Sequence, residues 1–322
     1  MCKVSGAACS ALHAQRTLDR TRGGTLVAQR LDALVDRYQE DGFVVVDGLI
    51  PEAILERARH GVNRHHAGER DVELPTGLGY LDWRADDPLG MRINDYVSLQ
   101  NEDVKSLVTF PPLAAMAALL SGSASIRLFH DQIIYKDPVN SAPTAADTEI
   151  GFHTDRAYWQ TCSSDQMLTA WAPLTSCSLE TGALSFVRGS HRWLGHDHLA
   201  NFFATGGNAP LQHVAAPPGV VPEVVTLELE PGQVSFHHCL TIHGSRPNRS
   251  KVARCAITVH FQDGLNEYVA PPGGRHSVHV NDLLSRRRGD GTPDYADAFV
   301  SPVLFAGTTA DAASCLDSGP TS

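Results

Sequence analysis

The chain has 322 residues, of which 42% are hydrophobic and 19% charged, which excludes a disordered or fibrous protein. Its 26 basic and 36 acidic residues give a net charge of −10 without a dense basic run, which argues against nucleic-acid and anionic-membrane partners. No apolar run approaches the ~20 residues of a membrane-spanning helix. We therefore expect a globular protein with neither partner.

The N-terminal 24 residues mix Arg, Ser, Thr and Gly and lack the long apolar centre of a signal peptide, so a flexible tail is predicted. The chain's seven cysteines are scattered, and none forms a Cys-x-x-Cys pair. Such a set favours free thiols over a disulfide framework. Because thiols stay reduced in the cytoplasm, we expect a cytoplasmic location.

Apolar residues at helical spacing begin at Leu26 and predict an amphipathic helix that ends near Gly42, a residue suited to a helix C-cap. The apolar run at residues 43–46 predicts a short buried strand. Pro51 begins a second predicted helix, and the alanine-rich residues 112–120 form a third. Together these helices predict an N-terminal helical layer.

Strand patterns dominate the rest of the chain, at residues 125–136, 167–174, 183–187, 224–229, 233–240 and 252–262. Short strands after a helical layer predict a mainly β fold with flanking helices, whose core is a double-stranded β-helix of the jelly-roll or cupin-like kind. Residues 25–322 are predicted to form a single domain. Residues 193–222 are rich in Gly, Pro and His and are predicted to form a lid or insert loop.

One carboxylate lies at metal-ligand spacing from a histidine, in His153-Thr154-Asp155, the only His-x-Asp or His-x-Glu in the chain. Side chains at i and i+2 of an extended segment project to the same side, so both groups could bind one ion. An isolated His-x-Asp is a weak signal, since most such pairs lie in surface turns.

A second motif strengthens the metal interpretation. Residues 233–245 contain three histidines, and a turn at residues 246–250 leads into the strand that carries Arg254. A hairpin centred between residues 248 and 249 would place His243 opposite Arg254. From Arg254 onward, one face of this strand is small and polar, as a pocket lining, and the other is apolar, as a core. Two histidines and one aspartate are the protein ligands of non-haem Fe(II) oxygenases, which leave three coordination positions of the iron open. An Arg beside such a site can bind a carboxylate through its forked guanidinium.

The sequence resembles the phytanoyl-CoA dioxygenase-like family of Fe(II)/2-oxoglutarate-dependent oxygenases over residues 26–305. The resemblance is carried by several blocks in order: DGFVVVDGLI at 41–50, RLFHDQIIYKDP at 127–138, HTDRAYW at 153–159, LTAWAPL at 168–174, ETGALSFVRGSHR at 180–192 and HHCLTIHGSRPNRSKVAR at 237–254. One departure is Arg188, where the family commonly has Pro.

The resemblance implies that His153, Asp155 and His243 bind Fe(II), and that Arg254 holds the distal carboxylate of 2-oxoglutarate with Ser245 nearby. It also implies further residues of the co-substrate pocket, namely Trp171, Thr169, Gln132 and Lys136. Trp159 is expected beside the iron on the substrate side. His237 and His238 are expected to be hydrogen-bonding neighbours of the site and not ligands. The clusters at residues 196–198 and 286–288 are expected to be a surface loop and a solvated turn.

With Fe(II), 2-oxoglutarate and O₂, such an enzyme would hydroxylate a C–H bond of a small-molecule metabolite and release succinate and CO₂. Desaturation, cyclisation and epimerisation remain alternatives with the same cofactors. Halogenation is not expected, because related halogenases have a small residue at the position of Asp155. A different class, a cupin-like metal-binding isomerase or ligand-binding protein, also remains open, but it would have no need for the carboxylate receptor Arg254.

Overall fold

The computed structural model describes residues 29–139, 148–195, 199–203, 216–270 and 279–317. The predicted N-terminal tail, residues 1–24, lies outside the described residues. So does half of the predicted lid loop, including the cluster at 196–198.

Six helices occur in the described residues: α1 at 29–41, α2 at Glu52–His66, α3 at Glu102–Val108, α4 at Pro111–Ser121, α5 at Val280–Leu284 and α6 at Thr309–Asp317. Gly42 ends α1 with φ +82°, and its backbone N–H donates to Tyr38 O at 2.9 Å. A glycine adopts this left-handed conformation without the steric cost that a side chain adds, so the predicted C-cap is confirmed. The three predicted helices are confirmed, whereas α3, α5 and α6 were not predicted.

The segment Glu102–Ser121 is apolar and long enough to cross a membrane by length and composition alone, with a mean hydropathy of 1.4. The sequence-based expectation that no apolar run approaches this length was therefore wrong for this segment. In the fold the segment is two helices, α3 and α4, and 67% of it is buried inside the molecule. Its apolar side chains pack in the protein core, and this packing explains the apolar composition of the segment.

Eleven strands occur in the described residues: β1 at Phe43–Val46, β2 at Met91–Asp95, β3 at Ser125–Lys136, β4 at Ile150–His153, β5 at Leu168–Pro173, β6 at Leu184–Val187, β7 at Val224–Thr226, β8 at Val234–His238, β9 at His243–Ser245, β10 at Arg254–Asp263 and β11 at Val303–Ala306. All of their pairings are antiparallel. The major sheet has the order β1-β8-β5-β10-β3-β11, with β2 also paired to β3, and the minor sheet has the order β4-β9-β6-β7. The prediction of a mainly β double-sheet fold with helices is confirmed.

Helices cover one face of the major sheet. Strand β10 contributes Cys255, Ile257, Val259 and Phe261 to a large core cluster that also contains the buried residues of α2, α3 and α4. The alternate residues of β10, including Arg254 and Thr258, line a pocket on the other face. The predicted division of this strand into a polar row and an apolar row is confirmed.

The predicted hairpin between His243 and Arg254 was wrong. His243 lies in β9 of the minor sheet and pairs with His153 of β4 and Phe186 of β6, whereas Arg254 lies in β10 of the major sheet and pairs with Lys136 of β3. The chain between them crosses from one sheet to the other. Alternation along a strand specifies its two faces but not its partner, so a turn signal between two strands fits a hairpin and a crossover equally.

Candidate metal centre and substrate cleft

Three ligand-type side chains meet between the sheets. His153 ends β4, Asp155 follows in a short 3₁₀ turn, and the pairing of β4 with β9 places His243 opposite His153. Asp155 Oδ1 lies 3.6 Å from Nε2 of His243 and 3.8 Å from Nε2 of His153. One ligand atom from each of the three residues lies within 4.8 Å of the other two, close enough to share one ion.

Backbone carbonyls orient both imidazoles. Nδ1 of His153 lies 2.8 Å from Gly151 O, and Nδ1 of His243 lies 2.9 Å from Thr241 O. An Nδ1–H that donates to a carbonyl leaves the lone pair of Nε2 for a metal. Burial lowers the pKa of both histidines and so favours their neutral form.

The carboxyl of Asp155 is ionised. Burial raises its pKa, but the contacts with His243 and with the neighbouring His237 and His260 outweigh burial and hold the pKa well below the usual value. Two neutral imidazoles and one carboxylate form the donor set of the two-histidine, one-carboxylate Fe(II) site. The residues present therefore fit an Fe(II) ion.

The second oxygen of Asp155 contacts two further side chains. Thr169 Oγ1 donates to Asp155 Oδ2 at 2.6 Å and also lies 2.8 Å from Nδ1 of His260. Nε2 of His237 lies 3.3 Å from the same oxygen. Thr169, which was predicted to line the co-substrate pocket, does line the inner pocket, and its closest polar contacts fix the carboxylate.

A narrow inner pocket joins the metal ligands to Arg254, and Trp171 and Thr258 also line it. The Arg254 side chain is fully buried. Its Nη2 donates to Gly182 O at 3.1 Å, while Nε and Nη1 have no hydrogen-bond partner among the described residues. The ring of Trp171 lies 5.3 Å from the guanidinium carbon. A buried guanidinium with two free donors is a receptor for a bidentate anion such as a carboxylate.

Lys136 adds a second buried basic group beside Arg254. It is the cross-strand neighbour of Arg254, and its Nζ donates to Ser245 Oγ at 2.6 Å and to Arg246 O at 2.7 Å. Burial and the charge of Arg254 lower the pKa of Lys136 well below its usual value. Neither Lys136 nor Ser245, both predicted in the co-substrate pocket, is among the residues that line the inner pocket, so Arg254 is its basic group.

A larger cleft of about 310 Å³ opens on the other side of His153 and Asp155. Trp159, which was predicted at the substrate side, lines this cleft with its ring 5.0 Å from that of His260. Gln132 lines both the cleft and the inner pocket, and its Nε2 donates to Asp95 Oδ1 at 2.8 Å. Trp159 therefore lies in a different compartment from Arg254, Trp171 and Thr169, which line the inner pocket.

Sequence reasoning missed several residues that line the cleft: Asp95, Tyr96, His130, Tyr158, Phe202, Phe203 and His279. The alternation of β3 could have identified His130, which lies two residues before Gln132. No local signal pointed to Asp95, because β2 was not predicted and its pairing with β3 is a long-range contact.

The described part of the predicted lid loop packs beside the metal ligands. Phe202 O accepts a hydrogen bond from Gly151 N at 3.0 Å, and Leu199 O accepts one from Thr154 N at 3.1 Å. The ring of Phe202 lies 5.0 Å from that of His153. This segment therefore forms part of the wall of the cleft.

Comparison with known proteins gives consistent matches. Residues 38–256 match the family model described as Phytanoyl-CoA dioxygenase (PhyH). The peroxisomal phytanoyl-CoA dioxygenase of Bos taurus is 25% identical over 263 residues, covering 78% of this chain and 75% of the relative. A probable phytanoyl-CoA dioxygenase of Caenorhabditis elegans is 22% identical over 278 residues, covering 83% and 86%.

Two solved structures share the fold. The epimerase SnoN from nogalamycin biosynthesis, in a complex with Fe³⁺, alpha ketoglutarate and nogalamycin RO, has a TM-score of 0.63 and 25% identity, covering 86% of this chain and 99% of that chain. The non-heme alpha ketoglutarate dependent carbocyclase SnoK has a TM-score of 0.61 and 22% identity, covering 84% and 95%. Since the family model spans more than half of the chain, this protein belongs to the phytanoyl-CoA dioxygenase family of Fe(II)/2-oxoglutarate-dependent oxygenases.

Proposed function

We propose that the protein hydroxylates a C–H bond of a small-molecule metabolite, using Fe(II), 2-oxoglutarate and O₂. The observation that carries this proposal is the buried guanidinium of Arg254, with two unpaired donors, in a pocket that ends at His153, Asp155 and His243. A diacid bound through one end to Arg254 would direct its other end toward the metal ligands.

Iron bound with 2-oxoglutarate supplies the oxidation of a C–H bond by O₂, with release of succinate and CO₂. The chain's own residues prepare that reaction. His153, Asp155 and His243 would hold the ion, and Thr169 fixes the orientation of the Asp155 carboxylate through its 2.6 Å hydrogen bond.

Arg254 would bind the distal carboxylate of the co-substrate through its planar fork, and the Ser245 hydroxyl lies beside the same end of the pocket through its contact with Lys136. Trp159 and Phe202 narrow the cleft on the opposite side of the metal ligands. A substrate held there would have one carbon close to the metal, so geometry would select the bond that is oxidised.

The presence of Asp155 supports hydroxylation over halogenation. With iron bound, Asp155 would be a ligand at the position that a halide would need, since His153, His243 and Asp155 together with 2-oxoglutarate would leave about one position for O₂. The similarity to an epimerase and a carbocyclase supports epimerisation or cyclisation as the second candidate, because these reactions use the same cofactors. A cupin-like isomerase has no use for the receptor at Arg254.

The test is turnover of a metabolite panel by the iron-loaded enzyme with 2-oxoglutarate, ¹⁸O₂ and chloride. We expect succinate and a product that carries one ¹⁸O atom. An unlabelled oxidised product would replace hydroxylation by desaturation or cyclisation, and a product of unchanged mass with an inverted centre would replace it by epimerisation. A chlorinated product would contradict the role given to Asp155. Absence of succinate with every compound would contradict the proposal.

A further inference from the structure

The cleft beyond the metal ligands contains a buried carboxylate that the oxygenase reaction does not require. Asp95 ends β2, lines the cleft and is 7% exposed. Its Oδ1 accepts a hydrogen bond from Gln132 Nε2 at 2.8 Å, and its Oδ2 accepts one from Leu81 N at 2.8 Å. These two donors are neutral and leave further lone pairs of the carboxylate available.

The described lining of the cleft includes no Lys or Arg side chain that could neutralise Asp95. The nearest basic group is His130, whose Nε2 lies 3.4 Å from Asp95 Oδ1 but has no hydrogen-bond partner. Burial lowers the pKa of His279, another residue of this wall, to about 3, so that ring is neutral near pH 7. Burial raises the pKa of Asp95, but the contact with His130 and the hydrogen bonds from Gln132 and Leu81 outweigh burial and hold the pKa below its usual value, so the carboxyl is ionised.

Aromatic rings make up much of the remaining wall: Tyr96, Tyr158, Trp159, Phe202 and Phe203. In the part of the chain that the structure describes, the cation–π contacts of Arg and Lys involve other rings, those of Trp83, Tyr135, Phe43 and Trp171. The faces of the cleft aromatics are therefore not used by the protein's own cations. Aromatic faces beside a carboxylate are the arrangement that binds an ammonium group.

The backbone of Tyr96, the residue after Asp95, has a strained conformation. Tyr96 has φ +54°, and it is the one non-glycine residue with positive φ among the described residues. Its backbone N–H donates to Asp131 O at 2.8 Å, which holds the conformation. Such strained conformations are concentrated at functional sites.

Acidic residues continue outward from the cleft. Leu81 and Phe203 separate it from an outer groove of about 320 Å³, whose lining includes Asp82 and Asp87 and no basic residue in the described chain. Asp82 is paired with Arg70 and Arg84, which compensates its charge, so the preference for a cation depends on the cleft itself. Neither the cleft nor the groove has a Lys or Arg in its described lining that could bind the diphosphate of a coenzyme A thioester.

We propose that the substrate carries a protonated amine, that Asp95 is the counter-ion that positions it, and that the cleft does not select coenzyme A thioesters. This inference rests on the proposed function for the reaction. The role of Asp95 in binding the substrate can be tested without that reaction. Asp95 then acts as the specificity determinant of the cleft.

The test is binding to the metal-free protein by isothermal titration calorimetry, so that its result does not depend on iron, co-substrate or turnover. The probes are benzylamine with benzyl alcohol, cyclohexylamine with cyclohexanol, glucosamine with N-acetylglucosamine, and acetyl-CoA. We expect at least one amine to bind at least about tenfold more tightly than its uncharged partner, which corresponds to about 1.4 kcal/mol. The wild-type comparison needs no variant and stands even if a substitution at Asp95 prevents folding.

Asp95→Asn removes the charge while keeping the shape, and it is expected to reduce the amine preference to about twofold or less. Asp87→Asn makes the same charge change in the outer groove and is the matched control, expected to retain the preference. Uncharged partners that bind as tightly as the amines, an unchanged preference in Asp95→Asn, or acetyl-CoA as the tightest probe would each overturn the proposal. Failure of the oxygenase function would instead appear as absent succinate with amine binding intact.

Discussion

The two pockets on either side of the metal ligands have opposite charge. The inner pocket is lined by the buried guanidinium of Arg254, whose cross-strand neighbour is Lys136, and the cleft contains the buried carboxylate of Asp95 and no Lys or Arg in its described lining. Residues of strands β3 and β10 line both pockets. In β10, Arg254 lies at the inner pocket and His260 at the cleft, six residues or about 20 Å further along an extended strand.

This difference in charge is a way for one fold to direct the co-substrate and the substrate to different pockets. An anionic co-substrate would be stabilised at one end of β3 and β10 and repelled at the other, and the proposed cationic substrate would have the opposite preference. His153 and Asp155 line both pockets and so lie between them. The substitutions below test the two ends and the centre separately.

The largest effect is expected at the centre. His243→Ala removes one of three ligands, so we expect the purified variant to lose bound iron and to form no detectable succinate. His238→Ala, which changes a histidine that was not predicted as a ligand, should retain iron. Iron content by mass spectrometry checks both. Full iron loading of His243→Ala would contradict the assignment of the site.

The next largest effect is expected at the basic end. Arg254→Leu removes a buried bidentate partner and should weaken 2-oxoglutarate binding by about 2–5 kcal/mol while iron content is unchanged. Arg254→Lys should recover part of this loss, because a point charge cannot supply the fork. The exposed Arg246→Leu is the control with the same chemical change. Calorimetric titration of 2-oxoglutarate measures all three, and wild-type affinity in Arg254→Leu would exclude its role.

A smaller effect is expected from the residue that orients the carboxylate ligand. Thr169→Val deletes the hydroxyl that donates to Asp155 Oδ2 and should reduce iron affinity by about 10–100-fold. Thr258→Val is the matched control, since its buried hydroxyl has no hydrogen-bond partner in the described structure. Competition with a metal chelator in the absence of 2-oxoglutarate measures both affinities. Equal affinities in the two variants would show that the Thr169 contact does not tune the metal.

The last prediction concerns stability and a residue that lies outside both pockets. Burial and the charge of Arg92 lower the pKa of His66 to about 4 from 6.5. The unfolded chain therefore binds a proton that the folded chain does not, so stability is complete above pH 6.5 and falls as pH decreases toward 4. The loss is up to about 1.4 kcal/mol for each pKa unit. His66→Phe should reduce this pH dependence in urea unfolding, and an unchanged slope would contradict it.

Local patterns predicted the parts of the site that lie close together in sequence. His153 and Asp155 are two residues apart, and the polar face of β10 follows from simple alternation, so both were identified without a structure. The entry helix and its glycine cap are also local features. These predictions depend on the backbone geometry of one segment alone.

Long-range pairing limited the remaining predictions. Strands β4 and β9 have four and three residues, too few to give a periodic signal, and they carry the first and last ligands. The crossover after His243 was interpreted as a hairpin, because sequence does not specify which sheet a strand joins. Asp95 reaches the cleft through the pairing of β2 with β3, and no pattern near Asp95 marks that contact.

Anaerobic titration of 2-oxoglutarate into the Fe(II)-loaded protein tests the central claim most directly, since it asks whether the ligand triad and the basic pocket act as one site. We predict a weak visible charge-transfer band that saturates with 2-oxoglutarate, is absent from His243→Ala, and requires much higher concentrations in Arg254→Leu. Absence of the band in the iron-loaded wild-type protein would contradict the account, as would a band with the same 2-oxoglutarate dependence in Arg254→Leu.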